Sequence, residues 1–236
     1  MTSSRASFSA LPQGLALTGA LAFAACQWLI YAYAPVEAQL GLMQKVFYVH
    51  LPLAWWALLS FFVVFLASVV VLLRASDAAD RLCRAAAEVG VLLTTLTLAT
   101  GMIWARRSWG VWWTWDPRLT TALIMWFVYA GYLLLRGLDL PPRRKSVICA
   151  VVGIVAFLDV PLVFLSARLW RSIHPAVFAA KGGGMEPEMK LTAIACVVSF
   201  ALFWAGLVWL RKRQLDMEAR VRALLLARHA AEADEA

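Results

Sequence analysis

Charge is scarce in this sequence. Only 15% of its 236 residues are Asp, Glu, Lys or Arg, while 63% are hydrophobic and the mean hydropathy is +0.74. A soluble domain is about a quarter charged and about half apolar. The surplus exceeds what one globule of this length can bury, so lipid is the second solvent. The four cysteines, Cys26, Cys83, Cys149 and Cys196, form neither C-x-x-C nor C-x-x-C-H. That excludes a thioredoxin-like pair and a covalent haem-attachment site, and leaves packing as their role. Gly182-Gly183-Gly184 lacks the Lys-Ser/Thr that completes a Walker A loop. It reads as a turn, and any ATP chemistry must come from a partner. No repeat of 20–50 residues and no low-complexity tract is present, and no nucleophile–base pair stands in a cleft-forming segment. The chain reads as a carrier and not as an enzyme.

What is abundant is long apolar runs. Crossing a hydrocarbon core of about 30 Å at 1.5 Å per residue takes about 20 apolar residues. Six stretches qualify: 14–33, 53–73, 85–105, 119–135, 147–166 and 191–210. The fourth is the shortest and borrows Pro117 as its first turn, where a missing N–H costs nothing. The expected fold is an all-α integral membrane protein of six transmembrane helices over 1–213, followed by a cytoplasmic helical tail over 214–236. The first stretch has Arg5 ahead of it and a small-residue site at Ala32-Tyr33-Ala34, as a signal peptide would. It is too long for a signal h-region and is read as a retained span.

Basic residues set the orientation. With both termini on one side, fourteen of the 22 Lys and Arg collect there, among them Arg74, Arg81, Arg84, Arg136, Arg143, Arg144 and Lys145. Eight remain opposite: Lys45, Arg106, Arg107, Arg118, Arg168, Arg171, Lys181 and Lys190. The positive-inside rule places both termini in the cytoplasm. The net charge of +8 thereby belongs to topogenesis and anionic lipid, and no nucleic-acid partner is expected. Five of the outer arginines nevertheless crowd beside two short segments.

The first of these segments reads Trp109-Gly110-Val111-Trp112-Trp113-Thr114-Trp115-Asp116-Pro117-Arg118. An interfacial aromatic belt needs one or two rings per helix end; four tryptophans around a glycine suggest instead a flat, rigid apolar platform for a planar conjugated ligand. Asp116 and Pro117 end that platform and start the fourth helix. Only three histidines occur. His229 falls in the charged tail, whereas His50 and His174 lie on the tryptophan side, just before the second span and just after the fifth. Neutral imidazole is a common axial ligand for haem iron, and two could bracket the ring. Arg106, Arg107, Arg118, Arg168 and Arg171 would supply donors for the propionates.

Three segments carry a family resemblance. Lys45-Val46-Phe47-Tyr48-Val49-His50-Leu51-Pro52 resembles the first histidine segment of the CcmC family of cytochrome c maturation proteins. Gly101-Met102-Ile103-Trp104-Ala105, with 109–120 after it, resembles the WWD signature shared by CcmC, CcmF and CcsA. Asp159-Val160-Pro161 followed by 168–175 resembles the second histidine segment. Six spans, one WWD loop and two outer histidines favour CcmC. The resemblance implies that His50 and His174 ligate a transiently bound, non-covalent haem b, with Trp109, Trp112, Trp113, Trp115, Asp116 and Trp170 along its edge. Leu169 stands where a second tryptophan is usual, which weakens the assignment of Trp170. The resemblance also implies a bacterial inner-membrane complex with CcmA, CcmB and CcmD, part of an ABC transporter system, and presentation of haem at the periplasmic face to the chaperone CcmE.

Two other readings compete. An electron-transfer cytochrome b subunit places its ligands within the bundle, yet the spans read here contain no histidine. A solute permease needs a polar path near midplane; Glu88 and Asp159 are the only acidic residues within the spans, toward opposite ends. Asp159 is expected to pair with an outer arginine and steady the site. The tail is expected to be a solvated helix, with docking to the ATPase as the sharper option. The topology predicts that a periplasmic reporter fused at Arg107 is active and one fused at Arg144 silent; activity at Arg144 would overturn it.

Overall fold

The computed structural model describes residues 10–38, 40–170, 172–174 and 185–234, without the side chain of Arg168. Six helical stretches are long and apolar enough to cross a bilayer, and the described residues contain no strand beyond an isolated bridge between Glu37 and Gly41. The chain is an all-helical multi-pass membrane protein.

Local chemistry sets most boundaries. Helix α1 (Leu11–Trp28) widens into a π turn at Leu29–Tyr33, and the carbonyls of Ile30 within it and Ala34 just after it accept hydrogen bonds from the buried Lys45 ammonium. A 3-10 turn at Leu42–Val46 leads into α2 (Phe47–Arg74). Ser76 caps α3 (Asp77–Trp109) by accepting from the Ala79 N–H at 3.2 Å, and Asp77 and Asp80 face the positive end of its dipole. Gly110, at φ +76°, closes α3 in the left-handed conformation that favours glycine. Helix α4 (Pro117–Gly137) starts on Asp116 and Pro117, as expected from the sequence.

The fifth stretch differs from the single run read in the sequence. It is divided into α5 (Pro142–Ala156) and α6 (Asp159–Leu169). Pro161 cannot donate to the Phe157 carbonyl four residues back, so the ladder breaks there. The last helix, α7 (Pro187–Asp234), runs on through Gln214 without interruption. Its 48 residues span about 72 Å, more than twice a bilayer core.

Helix α2 lies along α3 and α1 along α7, while α4 touches α3, α5 and α6. In the centre Phe61 stacks on Tyr129 with centroids 3.6 Å apart. At the end away from the tryptophan loop, charged side chains join the helices. Arg136, only 7% exposed, meets Asp80 at 2.9 Å, Arg81 meets Asp216 at 2.5 Å, and Arg211 pairs with Glu88. Glu88 is therefore a structural partner, not a station on a solute path. All four cysteines are buried and free.

The expectation that Asp159 pairs with an outer arginine is not met among the described side chains. Asp159 opens α6 beside the break and faces a lateral apolar groove with Val128, Val155, Leu158 and Leu162, and its buried Oδ2 has no partner there.

Helices α1 and α7 approach until side chains no longer fit between them. A Cβ added at Gly19 would lie 2.1 Å from the Phe203 nitrogen, and one at Gly206 2.5 Å from the Ala16 nitrogen. Both obstacles are backbone, so neither can yield locally. Gly19→Val is expected to destabilise by at least about 1–3 kcal/mol, the usual cost of overpacking. Gly131→Ala, where nothing lies within 4 Å, should leave thermal unfolding in detergent unchanged. Equal melting of both variants with wild type would contradict the α1–α7 contact.

Candidate functional site

The start of α2, the α3–α4 loop and the segment after α6 lie at the same end of the bundle, and each brings one predicted component. His50 sits in the first turn of α2. Its Nδ1 is 2.9 Å from Thr100 Oγ on α3. The Leu96 and Thr97 carbonyls lie 2.8 and 3.1 Å from the same hydroxyl, within reach of its single proton. With that proton on either carbonyl, Thr100 accepts, His50 Nδ1 carries the hydrogen and neutral His50 presents Nε2 as a lone pair. Gly101 makes room: a Cβ there would meet His50 Cε1 at 3.2 Å. Neither Thr100 nor the reason for Gly101 emerges from the sequence reading; a Thr-Gly pair one turn before Trp104 was the available signal.

Asp116 is the junction of the other two components. It is 7% exposed, and its oxygens accept from the Arg118 N–H at 2.9 Å, the Ser172 hydroxyl at 3.0 Å and the Ile173 N–H at 2.8 Å. Ser172 Oγ in turn accepts from the His174 N–H at 3.1 Å. The carboxylate thus caps α4 and grips the strip that carries His174, a role the sequence does not reveal. Burial opposes its charge, but these hydrogen bonds outweigh burial and hold its carboxyl below the usual Asp range. His174 Nδ1 lies 3.2 Å from an Arg118 guanidinium nitrogen.

The tryptophans do not form one flat platform. Trp113 and Trp115 meet at 82° and Trp104 and Trp109 at 88°, the edge-to-face arrangement that ring quadrupoles prefer. Trp115 is 76% and Trp112 55% exposed, so two indoles offer free apolar area. Trp170 is exposed at the end of α6, beside exposed Leu169. In the loop and the helix ends that flank it, Ser108 Oγ, Trp113 Nε1, Thr114 Oγ and Thr120 Oγ are buried without hydrogen-bond partners. Of the arginines, Arg106 donates to the Gly110 carbonyl and braces the turn, Arg107 is exposed, and Arg118 turns to His174. The side chain of Arg168, and Arg171 as a whole, lie outside the described residues. His229 is exposed in the distal part of α7, within 3.5 Å of Glu232. No group of three or more His, Cys, Asp or Glu side chains suited to a metal ion occurs among the described residues. An imidazole pair is instead a donor set suited to iron already held in a macrocycle.

Asp116 should therefore behave as a positioning residue. Its carboxyl is held low, so its contribution is complete above the unfolded Asp value of about 3.9 and fades as pH falls through the lower folded value. Asp116→Ala is expected to destabilise by about 2 kcal/mol at neutral pH, from lost charged hydrogen bonds. The difference from wild type should shrink below about pH 3.9. A pH-independent difference would contradict this.

Comparison with known proteins fits this arrangement. The family model of heme exporter protein C matches residues 3–227. The chain is 32% identical over 196 residues to heme exporter protein C of Bradyrhizobium diazoefficiens, covering 82% of this chain and 74% of that one. It is 31% identical over 193 residues to the Haemophilus influenzae protein of the same name, covering 80% and 78%. It is also 29% identical over 184 residues to a putative cytochrome c biosynthesis ccmC-like mitochondrial protein of Marchantia polymorpha, covering 77% and 78%. The chain belongs to the heme exporter protein C (CcmC) family.

Proposed function

We propose that this protein binds haem b non-covalently at the end carrying the tryptophan loop, with His50 and His174 as axial ligands, and presents it to the chaperone CcmE. Family membership makes it a haem-handling component of cytochrome c maturation rather than a catalyst. The observation that carries the ligand assignment is the convergence at one end. Thr100 stands within hydrogen-bond distance of His50, and Asp116 holds the strip that carries His174 at the same end of the bundle.

Each further group has a matching task. Exposed Trp112 and Trp115 supply apolar contact, at about 1.5–3 kcal/mol for a large side chain fully buried. The unpartnered hydroxyls and the Trp113 indole N–H favour a ligand with acceptor oxygens, and the cationic rim suits two propionates. Haem is cargo, so ligation from one end of the bundle, on a short exposed loop, suits transfer better than a resident electron-transfer haem between helices. By the positive-inside rule this end faces the periplasm and both termini the cytoplasm. In the inner-membrane complex with CcmA, CcmB and CcmD, the 214–236 portion of the chain lies on the cytoplasmic side, where it can meet the ATPase.

The test is haem content and absorption spectrum of the purified protein. His50→Ala and His174→Ala should each lose the bis-histidine spectrum, which added imidazole restores, whereas His229→Ala should match wild type. Wild-type spectra in both site variants would exclude this pair as ligands.

A further inference from the structure

The two histidines have different hydrogen-bonding neighbours. At His50 the neighbour is the Thr100 hydroxyl, whose own proton has two carbonyls within reach, so it can accept from Nδ1 and leave Nε2 bare. At His174 the neighbour is a guanidinium, which has five donors and no acceptor. Nδ1 of His174 must then be the acceptor, and the hydrogen of its neutral ring sits on Nε2. One imidazole is prepared to bind a metal, and the other has its lone pair committed to Arg118.

We propose that Arg118 is a carboxylate-sensing positioning residue that reserves His174 until a propionate-bearing ligand draws the guanidinium away. The inference rests on haem being bound by His50 and His174. While Arg118 holds Nδ1, the ring has no lone pair for iron. Withdrawal of the guanidinium bares Nδ1 directly. Alternatively, Nδ1 takes a proton from water and Nε2 returns one, leaving the ring's charge unchanged and Nε2 bare. Either route requires Arg118 to leave first.

The chemistry of Arg118 says what can move it. A guanidinium forms two parallel hydrogen bonds with a carboxylate, and such charge-assisted pairs are about twice as strong as neutral ones. A propionate therefore outcompetes a neutral imidazole nitrogen for it. The Asp116 carboxylate, two residues away, already receives the Arg118 main-chain N–H, Ser172 and Ile173. Those same bonds keep His174 in place when the side chain of Arg118 departs. Ligation thus becomes ordered, with His50 first and His174 only after a carboxylate has arrived. The site selects a metalloporphyrin with free propionates over one without.

The decisive probe is iron protoporphyrin IX dimethyl ester, whose propionates are capped, compared with haem in the full-length protein in detergent. Wild type should give a low-spin bis-histidine spectrum with haem and a single-histidine, largely high-spin spectrum with the ester. Arg118→Leu should recover the bis-histidine form with the ester. Bis-histidine ligation of the ester by wild type would overturn the inference. Nitrogen-15 NMR of histidine-labelled, ligand-free wild type supplies a readout that needs neither haem nor a variant. It should show His50 with hydrogen on Nδ1 and His174 with hydrogen on Nε2, a pattern Arg118→Lys preserves by keeping a donor. Hydrogen on Nδ1 of His174 in the ligand-free protein would likewise overturn it. Haem bound without histidine would instead defeat the ligand assignment, with the NMR pattern still deciding the Arg118–His174 pairing.

Discussion

The buried carboxylate of Asp116 is the contact on which the rest of the site depends. Its oxygens receive hydrogen bonds from three places: the first turn of α4, the Ser172 hydroxyl and the Ile173 N–H. The α3–α4 loop and the strip after α6 are far apart in sequence and contain no regular structure of their own where they meet. Without a shared anchor, each would have its own conformational freedom, at about 1–2 kcal/mol of backbone entropy per residue fixed. A carboxylate bonded at several points costs less to keep buried than one left unpaired, and it fixes both segments relative to α4. His174 inherits its position from that knot.

The opposite histidine is positioned by a different kind of structure. His50 belongs to a 28-residue helix packed along α3, and its ring is set by one hydroxyl and one missing side chain, Thr100 and Gly101. Under the proposed function, a histidine on a rigid helix and one on a tethered strip would suit a cargo that must be gripped and then released. The far end of the bundle has the contrary design. There Arg136–Asp80, Arg81–Asp216 and Arg211–Glu88 join α3 to α4 and α7 with charges at or near hydrogen-bond distance, leaving that end braced.

How much of this was legible in the sequence follows from the range of the interactions involved. The six spans were legible because lipid imposes a length and a composition on each helix separately. The start of α4 was legible because Asp116-Pro117 is a local capping signal. The break between α5 and α6 is hidden in the sequence, because a continuous apolar run masks the backbone bond that Pro161 removes. The tryptophan cluster announced an aromatic surface, but ring angles depend on which indoles meet, and the edge-to-face pairs were invisible to composition. Asp116 was read as a haem-edge residue and a helix cap. Its hold on Ser172 and Ile173 joins positions 56 and 57 residues apart, which no spacing rule predicts. Arg118 was read as a propionate donor, and only the structure turns it to His174.

The central claim is that His50 and His174 close on one ligand from two independently supported elements. Electron spin echo spectroscopy of the ferric, haem-loaded protein carrying nitrogen-15 histidine measures this directly, because among the labelled nitrogens only coordinated imidazole nitrogens couple strongly to the iron. The account predicts a low-spin centre coupled to two labelled histidine nitrogens. One labelled nitrogen or none, in protein that retains stoichiometric haem, would contradict it.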